Sequence, residues 1–195
     1  YDVAFLDRFM AEVYTVAPKA TGFPSTHQVF THMIMEGFAT STGYALLVVL
    51  MMMVIDFRRP GYVLLALLPL MLGGAWMFGM MVFFRIGYNH ANLVALPLII
   101  GLGVDYGVFL VHRLREQGGQ APFAVVAQGS RPVLLAATTT LAGIGALVLG
   151  RHQGIASLGQ VLILGIAACV TAAIVVLPAA AALGLWLKGA RGPSD

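Results

Sequence analysis

Residues 92–112, NLVALPLIIGLGVDYGVFLVH, hold one formal charge, Asp105, in an otherwise apolar run. A helix rises 1.5 Å per residue and a bilayer core takes roughly 20 apolar residues, so this stretch has the length of a membrane span. Asp105 precedes Arg113 by eight residues, which sets it about 12 Å inward from the charged end. A carboxylate at that depth costs about 2.5–3.5 kcal/mol on insertion scales, and intramembrane acids usually serve a function. One reading is a proton carrier. The other is an acid neutralised by a helix partner for assembly alone, but no Lys or Arg of this chain lies at matching depth.

The neighbours of Asp105 are arranged around it by helical spacing. Gly101, Asp105, Val108 and His112 share one stripe, while Gly103 and Gly107 fall on nearly the opposite face. Gly101 leaves room beside the carboxylate. Gly103-Val-Asp-Tyr-Gly107 is a small-xxx-small pattern that admits a close helix neighbour. Tyr106 lies about a hundred degrees round from Asp105; either its hydroxyl donates to a carboxylate on an adjacent helix, or its ring simply packs. His112 reads as interfacial, with a proton-exit role as the alternative.

Outward from this stretch the chain keeps the same texture. It has 195 residues, 59% hydrophobic and 10% charged, with mean hydropathy +0.90; a soluble domain is nearer 25% charged. Eight acids and 11 bases cannot coat a soluble globule of this size. A soluble enzyme, a DNA-binding domain and a disordered tail are poor fits. The net charge of +3 and pI of about 9.3 do not imply nucleic acid as a partner, because the bases form no stripe.

Charge-poor stretches predict five spans, at about 37–56, 61–84, 91–112, 132–150 and 155–187. Pro69, Pro97 and Pro178 are expected to bend spans two, three and five. Met51, Met52 and Met53 read as lipid-facing or packing residues. The bases set the orientation. Arg58, Arg59, Arg113, Arg115, Arg131, Lys188 and Arg191 flank one side, against Arg85 and Arg151 on the other. The positive-inside rule places the first group in the cytoplasm and the N-terminal segment outside it.

In span four, Thr138, Thr139 and Thr140 begin seven residues beyond Arg131, about 10–14 Å deep and level with Asp105. Consecutive threonines sweep most of a helix circumference, so one of them faces span three if the two helices are neighbours. A single threonine commonly bonds back to its own helix; the trio at this depth reads as a polar relay.

Residues 1–35 differ. Val3, Leu6, Met10 and Val13 recur at helical spacing and predict a short amphipathic helix. Pro18, Gly22 and Pro24 predict an extended or turning segment, and Ser25-Thr-His-Gln28 resembles a capping box opening a helix that runs into the first span. Too short for a core of its own, this part reads as the end of a larger extracytoplasmic domain, and residues 189–195 as a cytoplasmic tail. The chain, which begins with Tyr1, reads as a portion of something longer.

Several chemistries are set aside. Residues 101–107 do not form a dinucleotide-binding GxGxxG after a strand, and no Walker-type loop occurs. Intramembrane aspartyl proteases use Gly-x-Gly-Asp with a second aspartate; here Val104 intervenes, and no second acid is expected in the membrane region. His27, His32, His90 and His152 lack a carboxylate at ligand spacing, so no metal site is expected. Cys169 alone offers neither disulfide nor thiolate cluster. A proton gradient, with no bound cofactor, is the expected driving force.

The segment around Gly101-Leu-Gly-Val-Asp-Tyr-Gly107 resembles the tenth transmembrane helix of the resistance-nodulation-division (RND) superfamily, most closely its MMPL-like and hopanoid-exporter branches. The Thr-rich span four with Gly143 and Gly145, and Val176-Leu-Pro-Ala179, resemble helices eleven and twelve. Ala20-Thr-Gly-Phe-Pro24 resembles the strand leaving the second periplasmic porter domain. The resemblance implies an all-α membrane fold: five transmembrane helices forming most of one half of an RND-type bundle, preceded by the end of a periplasmic α+β porter domain. It implies that Asp105 and Tyr106 belong to a proton relay, completed by an N-terminal half of the same transporter. Thr138 and Thr139 are expected to join the relay, with Gly101, Gly103 and Gly107 packing around it. It further implies a proton-driven exporter of lipid or hydrophobic cargo in a bacterial inner membrane, in a superfamily that includes homo-oligomers. A protein-export relative and a non-pumping lipid- or sterol-sensing bundle are the alternatives.

Overall fold

The computed structural model describes residues 3–17, 20, 22–87, 94–118 and 121–190. The expected beginning of span three, His90, Pro18 and residues 191–195 of the tail lie outside the described residues. Among the described residues six helices follow in order: α1 (Val3–Val16), α2 (Phe23–Phe57), α3 (Pro60–Phe83), α4 (Ala95–Glu116), α5 (Pro122–Val148) and α6 (Gln153–Ala190). There is no strand among these residues. Five helical stretches among them are long and apolar enough to cross a membrane: Glu36–Phe57, Pro60–Phe83, Ala95–Glu116, Pro122–Val148 and Gln153–Trp186. This is a multi-pass, all-helical membrane protein.

The chain divides into two compact units, Tyr1–Ser41 and Thr42–Asp195. In the first, α1 forms where the sequence spacing predicts it, with Met10 buried. The expected extended segment at residues 20–24 does not persist to its end. Phe23 and Pro24 already open α2, and the Thr26 N–H bonds to the Gly22 carbonyl. Proline is tolerated there because the first N–H groups of a helix have no intrahelical partner. The capping box expected to open the helix at Ser25 is not its start, since Ser25 already lies inside α2. As expected, the helix runs on without a break to Phe57.

In the second unit α6 is the axis, with α3, α4 and α5 packed on it; α4 also packs on α3 and α5. The core runs through Ala66, Leu70 and Met77 of α3, Ile99 and Leu110 of α4, and Ile166, Cys169 and Leu177 of α6. From α2, Met53 and Phe57 enter this core while Met51 and Met52 stay exposed. Proline begins both α3 and α5.

The start of α5 and one expected bend differ from the sequence reading. α5 starts at Pro122, ten residues before the expected span, because Arg131 interrupts the apolar run without interrupting the helix. Its added turns bury Val125, Val126 and Gly129 at helical spacing. Pro132 therefore lies inside α5, alongside Pro69 in α3 and Pro178 in α6; each leaves the carbonyl four residues earlier without its helical donor. Pro97 instead falls in the first turn of α4, where its missing N–H costs no helix bond. The bend expected there has no such cause.

Candidate functional site

The site is built on α4, whose two faces meet different surroundings. One face is packed tightly. A Cβ placed on Gly103 would stand 2.9 Å from Cys169 Sγ of α6, and one on Gly107 would meet the backbone of Ala66 in α3. These two glycines let α4 settle against both neighbours, as the small-xxx-small pattern suggests. The other face is open. Gly101 has nothing within 4 Å of where its Cβ would be, and Asp105 is exposed.

Among the described residues, no side chain hydrogen-bonds to or ion-pairs with the Asp105 carboxylate. Asp105 instead borders three clefts. One, of about 340 Å³, is shared with Tyr106, Phe109, Pro132, Ala136 and Thr140 between α4 and α5. The second, about 290 Å³, adds Val49, Met53 and Asp56 of α2. The third, about 490 Å³, follows α4 to Phe109 and His112. An unpaired acid bordering space on three sides can exchange a proton with whatever enters those clefts.

Tyr106 turns away from the open face and is buried, and it lines the cleft between α4 and α5 together with Thr140. Thr140 donates its own proton to the Ala136 carbonyl at 3.0 Å. Thr138 and Thr139 donate to the Leu134 and Leu135 carbonyls at 2.7 and 2.8 Å, and both are exposed. Of the three threonines, Thr140 is the one brought to Asp105 and Tyr106.

Asp56 is a site residue that span counting misses. It closes the expected first span, where span counting assigns it no role, and it sits in the last turn of α2 and borders a cleft shared with Asp105. It accepts a hydrogen bond from His112 Nε2 at 2.6 Å. The expectation of a membrane region without a second acid is corrected accordingly: a second aspartate closes one end of the cleft. No local signal marks this pairing, because the partners are 56 residues apart. His152, by contrast, caps α6. Its Nδ1 accepts from the Gly154 N–H at 3.2 Å, and its carbonyl receives the Ala156 N–H.

The comparisons with known proteins agree with the architecture. The model of the MMPL family matches residues 12–193. A membrane protein of Methanocaldococcus jannaschii is 32% identical over 166 residues, covering 82% of this chain and 43% of that relative. The hopanoid transporters HpnN of Rhodopseudomonas palustris and Burkholderia multivorans are 33% and 30% identical, over 89% and 91% of this chain. The chain spans under half of the archaeal protein and 20% of each hopanoid transporter.

Proposed function

This chain belongs to the MMPL family, and on that premise we propose that it is the C-terminal membrane portion of a proton-driven exporter of lipids or other hydrophobic molecules. The observation that carries the reading is Asp105, a carboxylate within a membrane-spanning helix, unpaired among the described residues and bordering three clefts. In this reading Asp105 takes up and releases the proton. Tyr106 and Thr140 line one of the clefts beside it, so that a change in its charge is felt by α5. Thr138 and Thr139 belong to the proposal as hydroxyls on the open side of α5, facing a second half of the bundle.

The remaining features of the transporter follow as part of the same proposal. An N-terminal half of the same protein covers the open face of α4, and residues 1–35 lead out of an extracytoplasmic porter domain. The arginine-rich ends lie in the cytoplasm of a bacterial inner membrane. The relatives named hopanoid transporters support a lipid as cargo. Homo-oligomers are compatible with this arrangement.

The test is proton movement into liposomes loaded with a pH-sensitive dye and carrying the full-length protein under an imposed pH gradient. The wild type should conduct protons. Asp105→Asn should abolish conduction with unchanged thermal stability. Conduction that survives the substitution defeats the relay assignment; a wild type that binds lipid vesicle components without conducting points to a lipid-sensing bundle.

A further inference from the structure

We propose that His112 and Asp56 form a proton station at the arginine-rich end of the Asp105 site, passing protons between that carboxylate and bulk water. The proposal rests on the reading of Asp105 as a proton carrier and adds to it the route by which the proton reaches or leaves the surface.

The pair is held in place yet not buried. His112 Nε2 donates to Asp56 Oδ2 at 2.6 Å, and the two side chains keep 38% and 47% of their surface exposed. The imidazole lies over the ring of Phe57, with centroids 4.8 Å apart, and Phe57 is itself fully buried and packed on Tyr62. The ring orientation is thus set by a core side chain, while the Arg115 guanidinium donates to the Asp56 carbonyl at 3.5 Å. Two separate clefts lead from Asp105, one to each member of the pair. Asp105 and His112 are two helical turns apart, about 10 Å. Each cleft has room for several waters at about 30 Å³ apiece.

The step involves one proton and no other bond. It leaves the Asp105 carboxyl, crosses by water to the free Nδ1 of His112, and makes an imidazolium whose charge the Asp56 carboxylate balances. Loss of that proton from Nδ1 to bulk water restores the neutral ring; uptake runs the same path backward. The charged and titratable groups beside the pair are Asp105, Arg113 and Glu116, which share a cleft with His112, and Arg58 and Arg115, which share one with Asp56. Arg113 is paired with Glu116 at 4.0 Å. A pair that only clasped α2 to α4 would need the hydrogen bond but not the titration, and this difference can be measured.

The full-length protein is reconstituted in dye-loaded liposomes, and proton flux under an imposed gradient is followed across about pH 5 to 8, the range in which histidine changes charge. His112→Gln keeps an amide donor for Asp56 and removes the titrating ring. It should cut flux at least about tenfold, as loss of a proton-transfer group does, and should flatten the pH profile in that range. Asp56→Asn should also lower flux, and serves by the same criterion should His112→Gln not fold. A variant profile that overlays the wild type, or that falls by one constant factor at every pH, overturns the proposal. Loss of flux in Asp105→Asn alongside such a result leaves the reading of Asp105 standing; unchanged flux in Asp105→Asn removes that reading, and this one with it.

Discussion

Gly107 of α4 lies against the backbone of Ala66 in α3 with room for a hydrogen and nothing larger: a Cβ there would overlap the Ala66 carbonyl oxygen. That oxygen belongs to the middle of a helix and cannot swing aside as a side-chain end would. The contact seats α4 and so directs its neighbours, Tyr106 inward toward α5 and Asp105 outward into the clefts.

Gly107→Ala should therefore separate two packed helices and destabilise the protein by about 1–3 kcal/mol, the range for overpacked interiors. Gly101→Ala, whose Cβ would meet no atom of this chain within 4 Å, should cost less. Thermal unfolding of the full-length protein in detergent compares the two. Equal melting temperatures for both variants would contradict the packing described.

Tyr106→Phe keeps the buried ring and removes a hydroxyl at the cleft shared with Thr140. An interaction between the two hydroxyls is worth about 1 kcal/mol, and Thr140→Val should behave alike. The double variant should cost less than the sum, since both changes remove one interaction. Thr138→Val and Thr139→Val, which lose only bonds to their own helix, should change stability by less. A strictly additive double variant would show that the pair does not interact.

Arg85 adopts a left-handed backbone, with φ of 54°, where α3 ends, and the next residue, Ile86, closes the turn by bonding to the Met81 carbonyl at 2.9 Å. This conformation favours glycine, and any other residue pays about 1–2 kcal/mol for it. Arg85→Gly should raise the melting temperature, with a gain of roughly 1 kcal/mol. A fall in stability would indicate that the arginine side chain contributes more than its backbone costs.

His152 closes the first turn of α6 by accepting the Gly154 N–H. His152→Ala should cost about 1 kcal/mol, as lost helix caps do, while His152→Asp should restore the acceptor. Hydrogen exchange at Gly154 reads this directly: faster in the alanine variant, slower again in the aspartate variant.

Much of the candidate site is legible in the amino-acid sequence. Asp105 stands out because hydropathy makes one charge conspicuous in a long apolar run, and the packing role of Gly103 and Gly107 follows from their spacing. Arg131 hides the start of α5, since a charge marks a limit for lipid but not for a helix. Thr140 cannot be told from Thr138 and Thr139 without the rotation of α5 about its axis. Asp56 escapes notice for the same reason at longer range, having no neighbour in sequence that predicts a histidine beside it.

Composition and spacing alone set the number of spans, the depth of the acid in span three and the family resemblance. These are properties of single helices, and the chain carries them locally. Tertiary packing settles which face of α4 is buried, which threonine shares a cleft with Tyr106, and that Asp56 and His112 share a hydrogen bond. Those relations depend on the rotation and register of one helix against another. Both are fixed by the sum of many close contacts, Gly107 against Ala66 among them, and no single stretch of sequence contains it.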